Sequence, residues 1–467
     1  MDVGVVSSAP PGGSVVDDGE RMTVGAGGGA RYDVLVADER VGPAVAVRPP
    51  LAAPSTSLAA RVLAPVRAMQ RFLHRRALAR ATYALPRTAR VVYSMLAHGE
   101  MADDLPAPSA TLGFAAQVAM DEALLAMAMT PSRFPLPSDY RRVSGELDQA
   151  RRLYVRRGWM HHPDGYHRRP PPLDQRDVRL ERGRALGIRY RRLTFPSGFA
   201  PRATEPGRER WQSYEPNRTA MATIVRHDAE PRPWLVCVHG FCTGYPFMDF
   251  PGLHTARVQR ELGVNVALPV LPLHGRRKVT LVSGEPFLSF DLMNAIHGIT
   301  QAVWDIRRLI SWIRTQGATS VGLYGVSLGG YIVSLLAGLE PGIDVVVAGI
   351  PVSDIPTLFH QHSPLHIRAR AIEHRILGGP AEEVYRVVSP LRVAPQVPKD
   401  RRFIFAGYGD RLAPPEQAQT LWEHWDKPEI SWYAGNHVGY LWSKQVSNFL
   451  VDSLAAAGFT GPALVGG

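Results

Sequence analysis

A serine with small neighbours is the first candidate for chemistry in this chain. The sequence Gly-Val-Ser-Leu-Gly-Gly, residues 325–330, follows an apolar run typical of a strand and precedes one typical of a buried helix. A serine in a tight strand-to-helix turn needs glycines such as Gly325 and Gly329, because side chains there would collide. These few residues alone would also fit a phosphate-binding or structural turn, but the flanking elements favour a nucleophile. The pattern predicts that Ser327 is that nucleophile.

A sheet flanked by helices must position this serine. After residue 191, short β-branched and aromatic runs alternate with helical periodicity, which is typical of a largely parallel sheet. The predicted strands are at about 189–195, 219–226, 234–239, 264–270, 320–325, 344–350, 403–408 and 429–434, and the helices near 252–262, 299–316, 329–339 and 440–456. The predicted fold class is therefore α/β, with a mostly parallel eight-stranded sheet, helices on both faces and a helical extension before it.

The serine turn, with its preceding strand and following buried helix, resembles the α/β-hydrolase superfamily, and within it the serine esterases and lipases. The resemblance covers residues 185–460 and implies the α/β-hydrolase fold, with nucleophile, acid and histidine in that order along the chain. It implies that Asp410, in a Gly-Asp turn after an apolar strand, is the acid. His437, which ends the last strand before the C-terminal helix, is the implied base. Asp354, which follows the predicted strand at 344–350, remains the alternative acid because some members of the family place the acid there.

The resemblance also implies how these groups act. His437 would take the proton of Ser327 during attack and return it to the leaving group, while Asp410 orients the imidazole. The apolar strand that ends in His239-Gly240 resembles the oxyanion loop of the family. The backbone N–H groups of Phe241 and Leu328 would then receive the oxyanion. His239 is interpreted as a residue that shapes this loop.

The domain organisation follows from changes in composition along the chain. Residues 1–55 are predicted to form a disordered tail, and residues 56–184 a helical N-terminal extension. Residues 185–460 form the predicted catalytic domain, with a cap-like insertion at about 355–400. The leucine, isoleucine and phenylalanine of this insertion suit an apolar acyl pocket, and long insertions are often functional.

Charge and composition exclude other classes of protein. The net charge is +11, and most of the positive charge comes from arginine. No nucleic-acid-binding motif accompanies this charge, so no nucleic-acid partner is expected. Arg276 and Arg277 are interpreted as a solvated surface pair, with a contact to an anionic acyl carrier as the alternative. No metal site is expected, because the histidines at 161–167 lack neighbours with metal-ligand spacing. No organic cofactor is expected either, because the acyl-serine mechanism implied by the resemblance does not need one.

The sequence contains two cysteines and shows no apolar leader and no apolar run long enough to span a bilayer. These features predict a cytoplasmic protein. Peripheral contact of the basic N-terminal helices, near residues 61–80, with an anionic membrane is kept as a hypothesis.

The predicted function is therefore hydrolysis of a carboxylic ester or thioester, from a small-molecule or lipid-like substrate, through an acyl-serine intermediate. An acyltransferase with the same triad is one alternative, and a non-catalytic lipid-binding protein with the same fold is another. A propeller-gated peptidase is disfavoured because the N-terminal segment has no repeated blade pattern.

Overall fold

The computed structural model describes residues 84, 86–90, 93, 112–128, 135–227 and 231–462. The predicted tail at 1–55 and the basic stretch at 61–80 lie outside the described residues. The described part contains a sheet of nine strands in the order β1-β2-β3-β5-β4-β6-β7-β8-β9. The strands are β1 Arg179–Ala185, β2 Ile188–Pro196, β3 Thr219–Val225, β4 Arg232–Val238, β5 Asn265–Val270, β6 Ala318–Val326, β7 Val345–Gly349, β8 Arg402–Gly407 and β9 Glu429–Tyr433.

Strands β4 to β9 run parallel to their neighbours among themselves, and β1, β2 and β3 extend this sheet in antiparallel pairs. The strand that precedes Ser327, β6, lies between β4 and β7 in the middle of the sheet. Carboxyl ends of parallel strands meet at one edge, where open α/β folds build their sites. The strand order and the mostly parallel sheet confirm the predicted α/β-hydrolase fold.

Helices cover both faces of the sheet. They are α1 Leu112–Ala128, α2 Pro137–Arg156, α3 Arg208–Gln212, α4 Pro246–Gly252, α5 Thr255–Leu262, α6 Leu292–Thr315, α7 Leu328–Leu339, α8 Ile355–His362, α9 Leu365–Glu373, α10 Pro380–Tyr385, α11 Pro415–His424 and α12 Lys444–Ala456. Along β4, Trp234 and Val236 pack in the core that contains α6 and α7, whereas Leu235 and Cys237 pack in the core that contains α5 and α12. Alternate residues of a strand face opposite sides of the sheet, so both faces are buried. None of the helices in the described residues is long and apolar enough to cross a membrane.

The prediction of eight strands was short by one, because β1 was not recognised. β1 pairs with β2 through a two-residue turn at Leu186 and Gly187, which both have positive φ angles, of 47° and 81°. Such turns match the twist of a hairpin. The sequence of β1, Arg-Leu-Glu-Arg-Gly-Arg-Ala, lies at the sheet edge and is mostly exposed. An edge strand without a buried face has no apolar alternation, so periodicity could not reveal it.

The predicted helix near 252–262 forms as α5, which begins at Thr255, and the short helix α4 before it was not predicted. His254 lies between the two helices and has a positive φ of 47° that a continuous helix does not allow. In the segment 355–400, the chain forms α8, α9 and α10.

The interpretation of Arg277 as a solvated residue was wrong. Its side chain is fully buried, and its guanidinium donates hydrogen bonds to Val270 O at 2.9 Å, Asn217 O at 3.1 Å and Asp305 Oδ2 at 2.8 Å. Arg276, the next residue before it, is exposed. Arg277 therefore ties the end of β5 to helix α6.

We expect Arg277→Met to lower the free energy of unfolding by about 3 to 5 kcal/mol, because it leaves the Asp305 carboxylate buried without its cation. The double variant Arg277→Met/Asp305→Asn should recover part of this loss, since it removes the unpaired charge. Arg276→Met is the matched control and should change stability by less than about 0.5 kcal/mol. Urea unfolding followed by tryptophan fluorescence measures all three, and equal stability of the two single variants would contradict the buried ion pair.

Candidate active site

Ser327 lies at the turn between β6 and α7, with φ 56° and ψ −118°. This conformation is sparsely populated by residues with a side chain and costs about 1 to 3 kcal/mol. The surrounding backbone holds it: Ser327 N–H donates to Gly349 O at 2.9 Å, and Tyr331 N–H donates to Ser327 O at 3.1 Å. The nucleophile predicted from sequence is therefore placed in a strained strand-to-helix turn.

The two glycines of the turn are required by close contacts. A Cβ atom at Gly325 would lie 2.3 Å from Gly329 O, and a Cβ atom at Gly329 would lie 2.0 Å from Val238 O. Any side chain at either position would force backbone groups apart. The glycines therefore allow α7 to start directly against the carboxyl end of β4.

Asp410 and His437, which lie far apart in sequence, are in direct contact. Asp410 Oδ2 accepts a hydrogen bond from His437 Nδ1 at 2.7 Å, and both side chains are buried. Asp410 Oδ1 accepts from the backbone N–H groups of Leu412 at 2.9 Å and Ala413 at 2.8 Å. With its proton on Nδ1, the neutral imidazole presents the Nε2 lone pair as a base.

The environment of His437 favours its charged form. Burial lowers the pKa of the imidazole, but the negative charge of Asp410, the hydrogen bond from Nδ1 and the charge of Asp121 together raise the pKa of His437 above its ordinary value. His437 Nε2 makes no hydrogen bond with Ser327 or with any other residue that the structure describes. In unliganded sites, catalytic hydrogen bonds are often long and tighten only when the substrate binds.

The alternative acid, Asp354, is engaged elsewhere. It caps helix α8, where its carboxylate accepts from Thr357 N–H at 3.3 Å and from Thr357 Oγ1 at 2.6 Å. Its side chain does not contact His437. Of the two candidate acids, the structure brings only Asp410 to the histidine.

The loop after β4 lies beside the serine, as expected for an oxyanion loop. A Cβ atom built on Gly240 would lie 3.4 Å from Ser327 Cβ. Within the described residues, the backbone N–H groups of Phe241 and Leu328 have no hydrogen-bond acceptor. His239 shapes this loop, because its Nε2 accepts from Leu271 N–H at 3.1 Å and its Nδ1 contacts Gly240 O at 2.8 Å.

A further carboxylate, Asp121 of helix α1, contacts the segments that carry Asp410 and His437 and was not predicted from the sequence. It is fully buried, and accepts hydrogen bonds from the backbone N–H groups of His437 and Arg411, both at 2.9 Å, and from Asn436 Nδ2 at 2.9 Å. Burial raises the pKa of Asp121 to about 7, and the nearby charge of Asp410 adds to this rise. A signal was present: Asp121 and Glu122 are the only charged residues of an otherwise apolar helix.

Glu122 completes a second set of contacts from the same helix. Its buried carboxylate accepts from Arg87 Nε at 2.8 Å and from Arg411 Nε at 3.2 Å. Helix α1 therefore contacts the loop that carries Asp410 through two adjacent residues.

Comparison with known proteins identifies two similar chains. No family model matches the chain. The uncharacterized protein Rv2627c of Mycobacterium tuberculosis (strain ATCC 25618 / H37Rv) is 42% identical over 365 residues, which cover 77% of this chain and 86% of that protein. The uncharacterized protein MT2702 of Mycobacterium tuberculosis (strain CDC 1551 / Oshkosh) matches with the same identity and coverage.

Two solved structures show a more distant similarity. An acetyl xylan esterase from Paenibacillus sp. R4 is 13% identical, with a TM-score of 0.43, over 70% of this chain and 98% of that chain. An acylaminoacyl peptidase from Pyrococcus horikoshii is 15% identical, with a TM-score of 0.38, over 60% of this chain and 41% of that chain. At these values the activities of those proteins do not transfer to this chain.

We expect Gly329→Ala to lower the free energy of unfolding by about 1 to 3 kcal/mol, because the added methyl group overlaps the Val238 carbonyl. Gly145→Ala is the matched control. It lies on an exposed part of α2 with no atom within 4 Å of its Cβ position, and should stabilise the helix by up to about 1 kcal/mol. Urea unfolding measures both variants. A Gly329→Ala protein as stable as the wild type would show that α7 does not approach β4 so closely.

Proposed function

We propose that this chain, which belongs to the family of the Mycobacterium tuberculosis proteins Rv2627c and MT2702, is a serine hydrolase that cleaves a carboxylic ester or thioester. The observation that carries the proposal is the buried hydrogen bond between Asp410 and His437, at the same sheet edge as the strained Ser327 turn. A buried carboxylate that orients a histidine and stabilises its charged form is the arrangement that activates a serine.

In the proposed acylation step, Ser327 Oγ attacks the acyl carbon while its proton passes to His437 Nε2. The resulting tetrahedral oxyanion accepts hydrogen bonds from the N–H groups of Phe241 and Leu328. Its collapse breaks the bond to the leaving group, which takes the proton from His437. An acyl-serine remains on the enzyme.

In the proposed deacylation step, water attacks the acyl-serine and loses its proton to His437 Nε2. The second tetrahedral intermediate releases the carboxylic acid, and His437 returns the proton to Ser327. Asp410 supports the positively charged imidazole in both steps, which agrees with the raised pKa of His437. The step needs no group besides these side chains, the two backbone N–H groups and water.

The first test is labelling of the purified protein with a fluorophosphonate probe, with mass mapping of the adduct. We expect the adduct on Ser327, and no adduct in Ser327→Ala or His437→Ala, because attack requires both the hydroxyl and its base. Asp410→Asn should slow labelling on the order of 10⁴-fold. Asp354→Asn is the matched control, which should label at close to the wild-type rate. A folded wild type without labelling would favour the non-catalytic alternative.

The rate of ester hydrolysis should also depend on pH through His437. Because only the neutral imidazole can take the serine proton, kcat/KM should fall as the pH drops below the pKa of His437. That pKa is raised, so the fall should begin above the ordinary histidine value of 6.5. A pH profile with a panel of acyl chain lengths measures this, and product analysis with an added alcohol separates hydrolysis from acyl transfer.

A further inference from the structure

We propose that Asp121, on helix α1 of the N-terminal extension, is a positioning residue that holds the acid loop and the base loop together around the Asp410–His437 hydrogen bond. This inference rests on the proposed function, because it assigns a role in the same site. It makes helix α1 a part of the active centre, although α1 lies outside the sheet and far from the nucleophile in sequence.

The geometry of Asp121 carries the inference. One oxygen, Oδ2, accepts from the backbone N–H of His437 itself and from the backbone N–H of Arg411, the residue directly after Asp410. The other oxygen, Oδ1, accepts from the Asn436 amide. A single side chain therefore bridges the two loops at the residues that bear, or adjoin, the base and the acid.

The rest of this face of α1 lies against the same loops. Gln117, one turn before Asp121, accepts from Asn436 N–H through its side chain at 3.1 Å and from Asn436 Nδ2 through its backbone at 2.9 Å. The ring of Phe114 would lie 2.5 Å from a Cβ atom built on Gly409. Phe114, Gln117 and Asp121 recur at the spacing of one helical face. Helix α1 is thus seated on the acid and base loops by both apolar and polar contacts.

The adjacent residue offers an internal comparison. Glu122 is as deeply buried as Asp121, but its partners are the side chains of Arg87 and Arg411. It attaches the helix without contacting His437, its backbone or Asn436. Loss of Glu122 therefore reports on the docking of α1, whereas loss of Asp121 reports on docking and on the position of the base.

Asparagine cannot replace Asp121 in this position. The carboxylate serves three donors, one on Oδ1 and two on Oδ2. An asparagine has one acceptor oxygen and one NH₂ group, so at least one N–H group would face another donor in either orientation. The substitution also removes a negative charge beside His437, where Asp410, Arg411, His362 and Tyr433 are the other titratable or charged groups.

The experiment compares the full-length wild type with Asp121→Asn, Asp121→Glu and Glu122→Gln. For Asp121→Asn we expect kcat for a soluble ester to fall on the order of 10²-fold with little change in KM, because the base is displaced rather than the substrate site. The acid limb of its pH profile should move to lower pH, since one charge that raises the pKa of His437 is gone. Asp121→Glu keeps the charge and should keep the acid limb near the wild-type pH, at a reduced kcat.

Glu122→Gln separates positioning from simple docking. It should leave the acid limb where the wild type has it, with any loss of kcat matched by a loss of thermal stability. A folded Asp121→Asn protein with the kcat and acid limb of Glu122→Gln would overturn the inference.

A second readout does not depend on turnover. The proton between His437 Nδ1 and Asp410 should give a low-field ¹H NMR resonance in the wild type, and this resonance should be lost or shifted in Asp121→Asn. If that variant does not fold, Asp121→Glu takes its place in the same measurement: the longer side chain should shift the resonance, and an unshifted resonance would overturn the inference. Absent probe labelling in the wild type would refute the proposed function, whereas an unchanged resonance in Asp121→Asn would refute the role of Asp121 alone.

Discussion

The contact between the first turn of α7 and the carboxyl end of β4 is the constraint on which the site depends. At Gly329 only a hydrogen atom fits between the helix backbone and the Val238 carbonyl. This contact sets how sharply the chain leaves β6, and so gives Ser327 its positive φ. Because β7, β8 and β9 follow β6 in parallel register, the loops that bear Asp410 and His437 are placed relative to the same turn.

Burial of charge is the second organising principle of the site. Asp410, Asp121 and Glu122 are all removed from solvent, and an unpaired buried carboxylate is costly. Each is compensated by N–H groups or cations on a different segment of the chain, so the carboxylates join these segments. The pair formed by Asp410 and His437 is thus part of a polar network that extends to Asp121 and Glu122 on α1 and to Arg87. Hydrogen bonds therefore join helix α1 to the loops after β8 and β9 at this point.

The sequence predicted those parts whose cause is local. The turn at Ser327 was recognisable because its glycines are demanded by contacts within and beside the turn, and the inner strands because they are continuous apolar runs. Asp410 and His437 were predicted from the order of residues in the family that the sequence resembles. The hydrogen bond between them favours Asp410 over Asp354. β1 could not be predicted because an exposed edge strand has no buried face. Arg277 could not be predicted as buried because its acceptors lie on three other segments.

The role of Asp121 was hidden for a similar reason. The sequence predicts a helical extension over residues 56–184, but periodicity cannot reveal what its helices pack against. The partners of Asp121 are 290 and 316 residues further along the chain. This separation has a consequence for synthesis on the ribosome, where the N-terminal part of a chain emerges first. Until residues 411 and 436–437 follow, Asp121 lacks every hydrogen-bond donor that it has in the folded chain, and Glu122 lacks Arg411. The contacts that surround Asp410 and His437 can therefore form only after residues 436–437 have left the ribosome, long after helix α1 has been made.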